Sequence, residues 1–424
     1  PAGGPLSRIG EENGWLAPEL APVPETLTVG LGPGEVEAYN HFEADAIVTH
    51  GGRPADDLLP LIEGGSSFEP RWIDDRTVEV FTRPEFVRSA SYWVLLRLAD
   101  ADDAPERLIV RTVHWGGANM TPTFFASADG DRWRRVVPER IMMVGQGAEY
   151  AAQFRWADIA GGYLASSPVF GDREREALVA WAEQIPGVGV REIGETVEGR
   201  PLHAIELGDG PRGVAFIFGQ HSPLEIMDAL MIEPMIRALL ERRDLLAEAT
   251  FVFVPTVNVD CAHYGGSGLN VNRRNLNRHW LVEIQPETRA VIDRIEALRE
   301  EGLEFEFGID FHAGGIFRNP VLMHMAEGEV PLSDEAAEAQ EPWRDALERH
   351  AGLRRVDGWG LGQMRFRATD WLQQELGAVA FCLELSTCSY YDPREGRTRP
   401  FEAEALDIIV EGIVKALEER MVGA

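Results

Sequence analysis

The first half of the chain alternates short apolar and polar runs, a pattern typical of β-strands. Two such runs are 107–113 and 123–127, and the second ends near Asp129-Gly130, a residue pair that predicts a hairpin turn. Turn residues separate these runs from their neighbours. We therefore expect residues 1–165 to form an all-β, sandwich-like N-terminal domain.

The second half alternates continuous apolar runs with longer amphipathic stretches. The runs 214–218 and 251–254 are typical of buried strands, and Pro234 should kink or shorten the helix that contains it. Asp172 is the expected N-cap of the first helix. Helices are predicted at 172–185, 226–242, 286–300, 335–350 and 403–420. Residues 166–424 are thus expected to form an α/β domain.

Chemically informative side chains follow three of the predicted buried strands. His221 comes after the run 214–218, His312 after 305–309, and Glu384 after 378–383. Ligands usually bind beyond the carboxyl ends of strands in open α/β sheets. Each residue alone is more often structural, but two imidazoles with a binding carboxylate and a further acid make up a catalytic zinc site.

The order of motifs along the chain resembles that of the M14 zinc carboxypeptidases over roughly residues 168 to 420. The β-rich first half makes the cytosolic carboxypeptidase branch the most similar one. The matching motifs are His221…Glu225, Asn258-Val259-Asp260-Cys261, Asn277-Arg278-His279-Trp280, His312, Ala368-Thr369-Asp370-Trp371 and Glu384.

The resemblance implies an α/β domain with a mixed sheet flanked by helices. It also implies one zinc ion held by His221, Glu225 and His312, with Glu384 as the general base that activates water. Asn277 and Arg278 would hold the terminal carboxylate of the substrate. Physical chemistry agrees with the last role, because a guanidinium group meets a carboxylate with two parallel hydrogen bonds.

The first zinc motif departs from the family pattern in its spacing. Three residues separate His221 from Glu225, where the family has two, so a bulge or a shifted helix start must bring the carboxylate to the metal. Asp228, one helical turn further on, is the reserve ligand. Asp260 could orient a ligand histidine or could cap a turn, and the sequence leaves both open.

Catalytic and specificity residues outside the zinc motif are less well defined. Arg273 and Arg274 are candidates for the cation that polarises the substrate carbonyl. The resemblance places Thr369 near the bottom of the pocket for the terminal side chain, which argues against an acidic pocket. Arg365 and Arg367 could line that pocket and favour an acidic substrate, or could face water. The tyrosine of digestive family members has no counterpart, since its position falls on Gly362.

The leading hypothesis is a zinc-dependent carboxypeptidase that hydrolyses the C-terminal amide bond of a peptide or peptide-like substrate. An amide deacylase acting on small N-acyl amino acids has the same fold and also uses an Asn-Arg pair such as Asn277-Arg278. A non-catalytic carboxylate-binding protein is the third possibility, if the spacing at Glu225 prevents metal binding.

Composition narrows the range of partners. The chain has 424 residues with 40 Lys or Arg against 70 Asp or Glu, a net charge of −30, which disfavours nucleic acid and anionic membrane surfaces. Three cysteines favour a reducing compartment, so a cytoplasmic location is expected. Whether a signal peptide was removed before Pro1 is left open by the sequence, which also predicts no oligomeric state.

Overall fold

The computed structural model divides the chain into two compact units between Val169 and Phe170. Each unit has its own sheets and core. The residues that the structure describes are 67–74, 76–83, 94–99, 104–113, 124–144, 149–221, 227–264, 269–313, 321–323, 334–356, 366–386, 389–401 and 403–423.

The described residues of the first unit form two β-sheets that share one apolar core, as the alternating sequence pattern predicts. Its strands are β1 Ser67–Asp74, β2 Thr77–Arg83, β3 Leu95–Arg97, β4 Arg107–Val113, β5 Phe124–Ser127, β6 Arg134–Val136, β7 Arg140–Val144, β8 Glu149–Arg155 and β9 Tyr163–Ala165. One sheet has the order β1-β2-β4-β8-β7 and the other β3-β9-β5-β6. Phe124 of the second sheet packs edge-on against Phe154 of the first, with ring centroids 5.0 Å apart. The sandwich prediction is confirmed.

The second unit is organised around a mixed sheet of eight strands. Its strands are β10 Val188–Glu195, β11 Pro201–Leu207, β12 Arg212–Ile217, β13 Ala249–Val254, β14 Glu304–Ala313, β15 Val321–Met323, β16 Arg354–Val356 and β17 Val379–Leu385, in the order β10-β11-β13-β12-β14-β17-β15-β16. The central strands β13, β12, β14 and β17 run parallel. A separate hairpin is formed by β18 Ser389–Asp392 and β19 Arg397–Pro400.

Helices accompany this sheet, mostly where the sequence predicts them. They are α1 Asp172–Ala182, α2 Ile232–Leu240, α3 Arg243–Glu248, α4 Val259–Tyr264, α5 Pro286–Glu300, α6 Asp334–Ala351, α7 Ala368–Leu376 and α8 Ala403–Met421. None of the described helices combines the length and apolar character needed to cross a membrane.

Two helix starts differ from prediction. Asp172 is the first helical residue rather than the N-cap, because Gly171 takes that position and donates its backbone N–H to Glu174 Oε2 at 2.9 Å. The stretch predicted as one helix at 226–242 is a 3₁₀ turn, Met227–Met231, followed by α2. Pro234 falls in the first turn of α2, where its missing N–H costs no intrahelical hydrogen bond.

The two faces of the central sheet are packed differently. One face is aromatic, with Phe218 and Phe311 stacked at a centroid separation of 4.1 Å. The opposite face places the small and aliphatic side chains of β12, such as Ile217, in one core cluster with residues of α5 and α7, including Trp371. Because strand side chains alternate between faces, residues two apart share a face. This alternation decides which residues meet at the carboxyl end of the sheet.

Candidate active site

His312 and Glu384 lie side by side on neighbouring parallel strands. His312 on β14 is the register partner of Glu384 on β17, and Asp310 is the partner of Cys382. The two-residue spacing puts all four side chains on the face that α7 covers. Asp310 is fully buried, and Glu384 is only 6% exposed. Both His312 and Glu384 lie within the last residues of their strands, rather than beyond the strand ends as predicted.

His221 reaches the same place from β12. The chain leaves β12 through Gly219, whose φ of 66° is a left-handed conformation that favours glycine. The His221 ring centroid lies 5.2 Å from that of His312, with the ring planes inclined by 52°. The two imidazoles predicted to share a metal ion are therefore neighbours.

The predicted third ligand cannot be placed in the same way. Glu225 lies outside the residues that the structure describes, so the role of Glu225 stays a prediction. Asp228, the reserve ligand, is fully buried in the 3₁₀ turn that precedes α2.

A single short turn contacts both imidazoles. The turn is the 3₁₀ segment Leu276–Arg278, with Asn275 as its N-cap. Nε2 of His221 lies 2.6 Å from Oδ1 of Asn275, and Nδ2 of Asn277 lies 2.9 Å from Nε2 of His312. An amide oxygen can only accept a hydrogen bond, so His221 carries its proton on Nε2. Nδ1 of His221 is then the nitrogen that can bind a metal.

The donor set of this site fits zinc. Neutral imidazole nitrogens and a carboxylate are the ligands that catalytic zinc sites use. Oδ2 of Asp310 is buried and has no hydrogen bond within the described part of the chain, yet it lies 3.0 Å from Nε2 of His312. An outer carboxylate of this kind is a common partner of metal-binding histidines.

A second group of potential ligands overlaps with this one. Asp310, His312 and Cys382 bring their ligand atoms within 4.8 Å of one another among the described residues. Burial raises the pKa of the Cys382 thiol well above its usual value. Both oxygens of Asp310 already face other groups, since Oδ1 accepts from Gln220 Nε2 and Oδ2 lies 3.0 Å from Nε2 of His312. We therefore favour the imidazole pair of His221 and His312 over this trio.

The residues predicted to hold the substrate surround the start of α7. Asn277 is buried, and its Oδ1 accepts a hydrogen bond from the backbone N–H of Ala368 at 3.3 Å. Arg278 is partly buried, and its Nη1 donates to the carbonyl of Asn277. Thr369 is fully buried, and its hydroxyl has no hydrogen-bond partner among the described residues.

Arg367 is engaged by a carboxylate of its own chain. Its Nη2 lies 3.0 Å from Oδ1 of Asp370 and its Nε 3.2 Å from Oδ2. The backbone N–H of Arg367 also donates to Asp370, so this pair closes the first turn of α7. The pocket role of Arg367 stays a prediction, and Arg365 and Gly362 lie outside the described residues.

Arg273 and Arg274 lie on an exposed loop. Arg273 has a left-handed φ of 60°, and Nη2 of Arg274 lies 3.4 Å from Oε2 of Glu283. Asn270 closes the loop, because its Oδ1 accepts from the backbone N–H of Arg274 at 3.0 Å. Asn270 is held in turn by Glu287, whose pKa is raised by burial. The polarising role of either arginine stays a prediction.

Several residues that shape the site carry little signal in the sequence. Asn275 and Gln220 gave no signal, because their contacts join distant segments. Asp310 could have been found, since it lies two residues before His312 on a strand and therefore on the same face. Asp260, by contrast, bonds to Thr196 Oγ1 and Arg200 Nη1, each at 2.7 Å, which supports the turn-capping alternative.

Comparison with known proteins finds a family that part of the chain resembles. Residues 175–282 match the zinc carboxypeptidase family, Peptidase M14. Over these residues the chain is similar to this family. The cytosolic branch of the family stays a prediction.

Solved structures share the fold of this chain. A metallo-carboxypeptidase from Burkholderia cenocepacia is 20% identical, with a TM-score of 0.68, over 85% of this chain and 98% of that one. One from Pseudomonas aeruginosa, solved in complex with (2-guanidinoethylmercapto)succinic acid, is 18% identical, with a TM-score of 0.66, over 85% and 97%. The shared fold thus extends beyond the second unit.

One curated relative also matches. An uncharacterized protein of Zymomonas mobilis is 26% identical over 148 residues. This alignment covers 34% of the present chain and spans 39% of the length of that relative.

Proposed function

We propose that the protein is a zinc-dependent carboxypeptidase that hydrolyses the C-terminal amide bond of a peptide or peptide-like substrate. The observation that carries this proposal is the meeting of two imidazoles and one acid at the carboxyl end of the sheet. The rings of His221 and His312 are 5.2 Å apart, and Glu384 is the direct strand neighbour of His312. This geometry can bind a divalent ion beside a proton acceptor.

The metal ligands and the general base have separate roles in the proposed reaction. His221, Glu225 and His312 would hold zinc, which when bound polarises the scissile carbonyl and acidifies water. Glu384 takes a proton from the attacking water and returns it to the leaving amine. Its burial at 6% exposure keeps bulk water from competing for that proton.

Arg278 and Asn277 bind the free carboxylate of the substrate. A guanidinium group supplies two parallel donors and an amide one more. In support, Arg278 is oriented by its bond to the carbonyl of Asn277, and both residues belong to the short turn that contacts the imidazole pair. The succinic acid derivative in the Pseudomonas aeruginosa protein supports a carboxylate ligand for this fold.

The specificity pocket is proposed to be neutral. Arg367 is already paired with Asp370, so it offers little free positive charge to an acidic terminal side chain. Thr369 has a buried hydroxyl without a partner in the described chain, and such a group favours a terminal residue that can form a hydrogen bond with it.

The test combines metal analysis with a matched pair of substrates. The purified protein should contain zinc and should cleave peptides with a free C-terminus but not the same peptides with an amidated C-terminus. Glu384→Gln, which keeps the shape of the side chain, should retain zinc and lose turnover by at least about 100-fold. Glu375→Gln makes the same chemical change at an exposed residue of α7, so it serves as the matched control and should leave turnover unchanged.

Two outcomes would overturn this proposal. Cleavage of N-acyl amino acids without cleavage of any peptide would indicate a deacylase. Absence of both zinc and turnover, with retained binding of carboxylates, would indicate a binding protein.

A further inference from the structure

A buried chain of polar side chains ends at the candidate zinc ligand His312. Trp280 Nε1 donates to Gln220 Oε1 at 2.8 Å, and Gln220 Nε2 donates to Asp310 Oδ1. Asp310 Oδ2 then lies 3.0 Å from Nε2 of His312. Trp280, Gln220 and Asp310 are all fully buried, so water does not compete for these contacts. Gln220 also precedes His221 in the chain, which connects the two imidazoles.

The direction of this chain is fixed by Trp280. An indole N–H can only donate, so Gln220 must turn its oxygen toward Trp280 and its NH₂ group toward residue 310. Residue 310 must therefore accept a hydrogen bond on that side. A carboxylate does so and still presents a second accepting oxygen to His312.

Nε2 of His312 lies between a donor and an acceptor. Asn277 Nδ2 is 2.9 Å away on one side and Asp310 Oδ2 is 3.0 Å away on the other. If Nε2 accepts from Asn277, the ring proton is on Nδ1 and Oδ2 of Asp310 has no hydrogen bond. If the proton is on Nε2, it faces Asp310, and the lone pair of Nδ1 becomes available to a metal.

We propose that Asp310, oriented by the Trp280–Gln220 pair, is the positioning residue that selects the metal-binding tautomer of His312. This inference rests on the proposed zinc site. When the ring proton is on Nε2, Asp310 Oδ2 accepts it and Asn277 is released from Nε2. The amide of Asn277 is then available to the substrate carboxylate, which reconciles its predicted role with its contact to His312.

An isosteric substitution at position 310 tests the direction of these hydrogen bonds. In Asp310→Asn, Gln220 still presents its NH₂ group, so the new amide at position 310 must turn its oxygen to Gln220 and its NH₂ group to His312. That arrangement stabilises the wrong tautomer.

A double variant should restore the original direction. When Gln220→Glu is combined with Asp310→Asn, the new carboxylate at position 220 accepts hydrogen bonds from both Trp280 and the amide at position 310. The amide then presents its oxygen to His312, as the carboxylate does in the original chain. The two substitutions together leave the net charge unchanged.

The measurement is zinc affinity of the full chain by chelator competition, together with the absorption spectrum of the cobalt(II) form. Asp310→Asn should weaken zinc binding by about 10- to 100-fold and alter the cobalt spectrum, as loss of an outer ligand partner typically does. The double variant should recover most of the affinity and the original spectrum. Asp260→Asn is the control, because Asp260 is equally buried but bonds to Thr196 and Arg200, and it should leave zinc affinity unchanged.

The outcomes separate this inference from the proposed function. If the original chain binds zinc and Asp310→Asn binds it equally well, the positioning role is wrong while the zinc site stands. If the double variant binds no better than Asp310→Asn, although melting temperatures of the metal-free forms agree, the directed chain is wrong. If the original chain binds no zinc, the proposed function fails first.

Discussion

Replacing Asn275 by Asp should tighten zinc binding. Nε2 of His221 lies 2.6 Å from Oδ1 of Asn275, which is a neutral amide oxygen. A neutral hydrogen bond contributes about 1 kcal/mol net, and one to a charged group about 1.5–3 kcal/mol. The substitution keeps the shape and the acceptor for the backbone N–H of Asn277. The gain of about 1 kcal/mol corresponds to roughly fivefold tighter zinc binding.

The assay is chelator competition at constant ionic strength, with two comparison variants. Asn272→Asp adds the same charge to an exposed residue of the same loop, so it measures the general effect of charge. Asn275→Leu removes the acceptor and should weaken binding by about 10-fold or more. Equal tightening by Asn272→Asp and Asn275→Asp, or unchanged affinity in Asn275→Leu, would refute the reasoning.

Three further substitutions test the fold. Phe124→Ala should lower the free energy of unfolding of the first unit by about 3–5 kcal/mol, seen as faster amide exchange in β5 and β8. Glu287→Gln should stabilise the protein at pH 7, because burial raises the pKa of Glu287 and the folded state loses stability as the pH rises through that raised pKa. The denaturation curves of the variant and of the original chain should converge at low pH, where Glu287 is protonated. Asp392→Asn should destabilise at neutral pH, because Arg394 holds the pKa of Asp392 at about 2; the difference from the original chain should shrink as pH falls from about 4 to about 2.

Much of the second unit could be predicted from local pattern alone. The helix Pro286–Glu300 agrees with its predicted bounds because proline at its first position marks the start in the sequence. The runs that became β12 and β13 were recognisable as continuous apolar segments. The start of α1 was misjudged by one residue, since Gly171 has no side chain that identifies it as a cap.

The site was only partly predictable, for a physical reason. His221 and His312 could be found from the sequence because each follows a continuous apolar run, near the edge where parallel strands end. The partners of the two rings were not, because the contacts of Asn275 and Gln220 depend on tertiary pairing between segments far apart in the chain. The contact between Arg367 and Asp370 is different, because it joins residues only three positions apart. An aspartate at that spacing is a helix-capping pattern that the local sequence already contains.

The separation between the candidate general base and the candidate metal ligand is set by backbone alignment rather than by side-chain choice. His312 and Glu384 are paired across β14 and β17. A shift of one residue in the register of these strands would turn Glu384 toward the opposite, aromatic face of the sheet, where Phe218 and Phe311 stack. Redesign of substrate preference should therefore leave the lengths of these two strands untouched. Deleting a single residue from β17 would eliminate the chemistry even if every functional amino acid were retained.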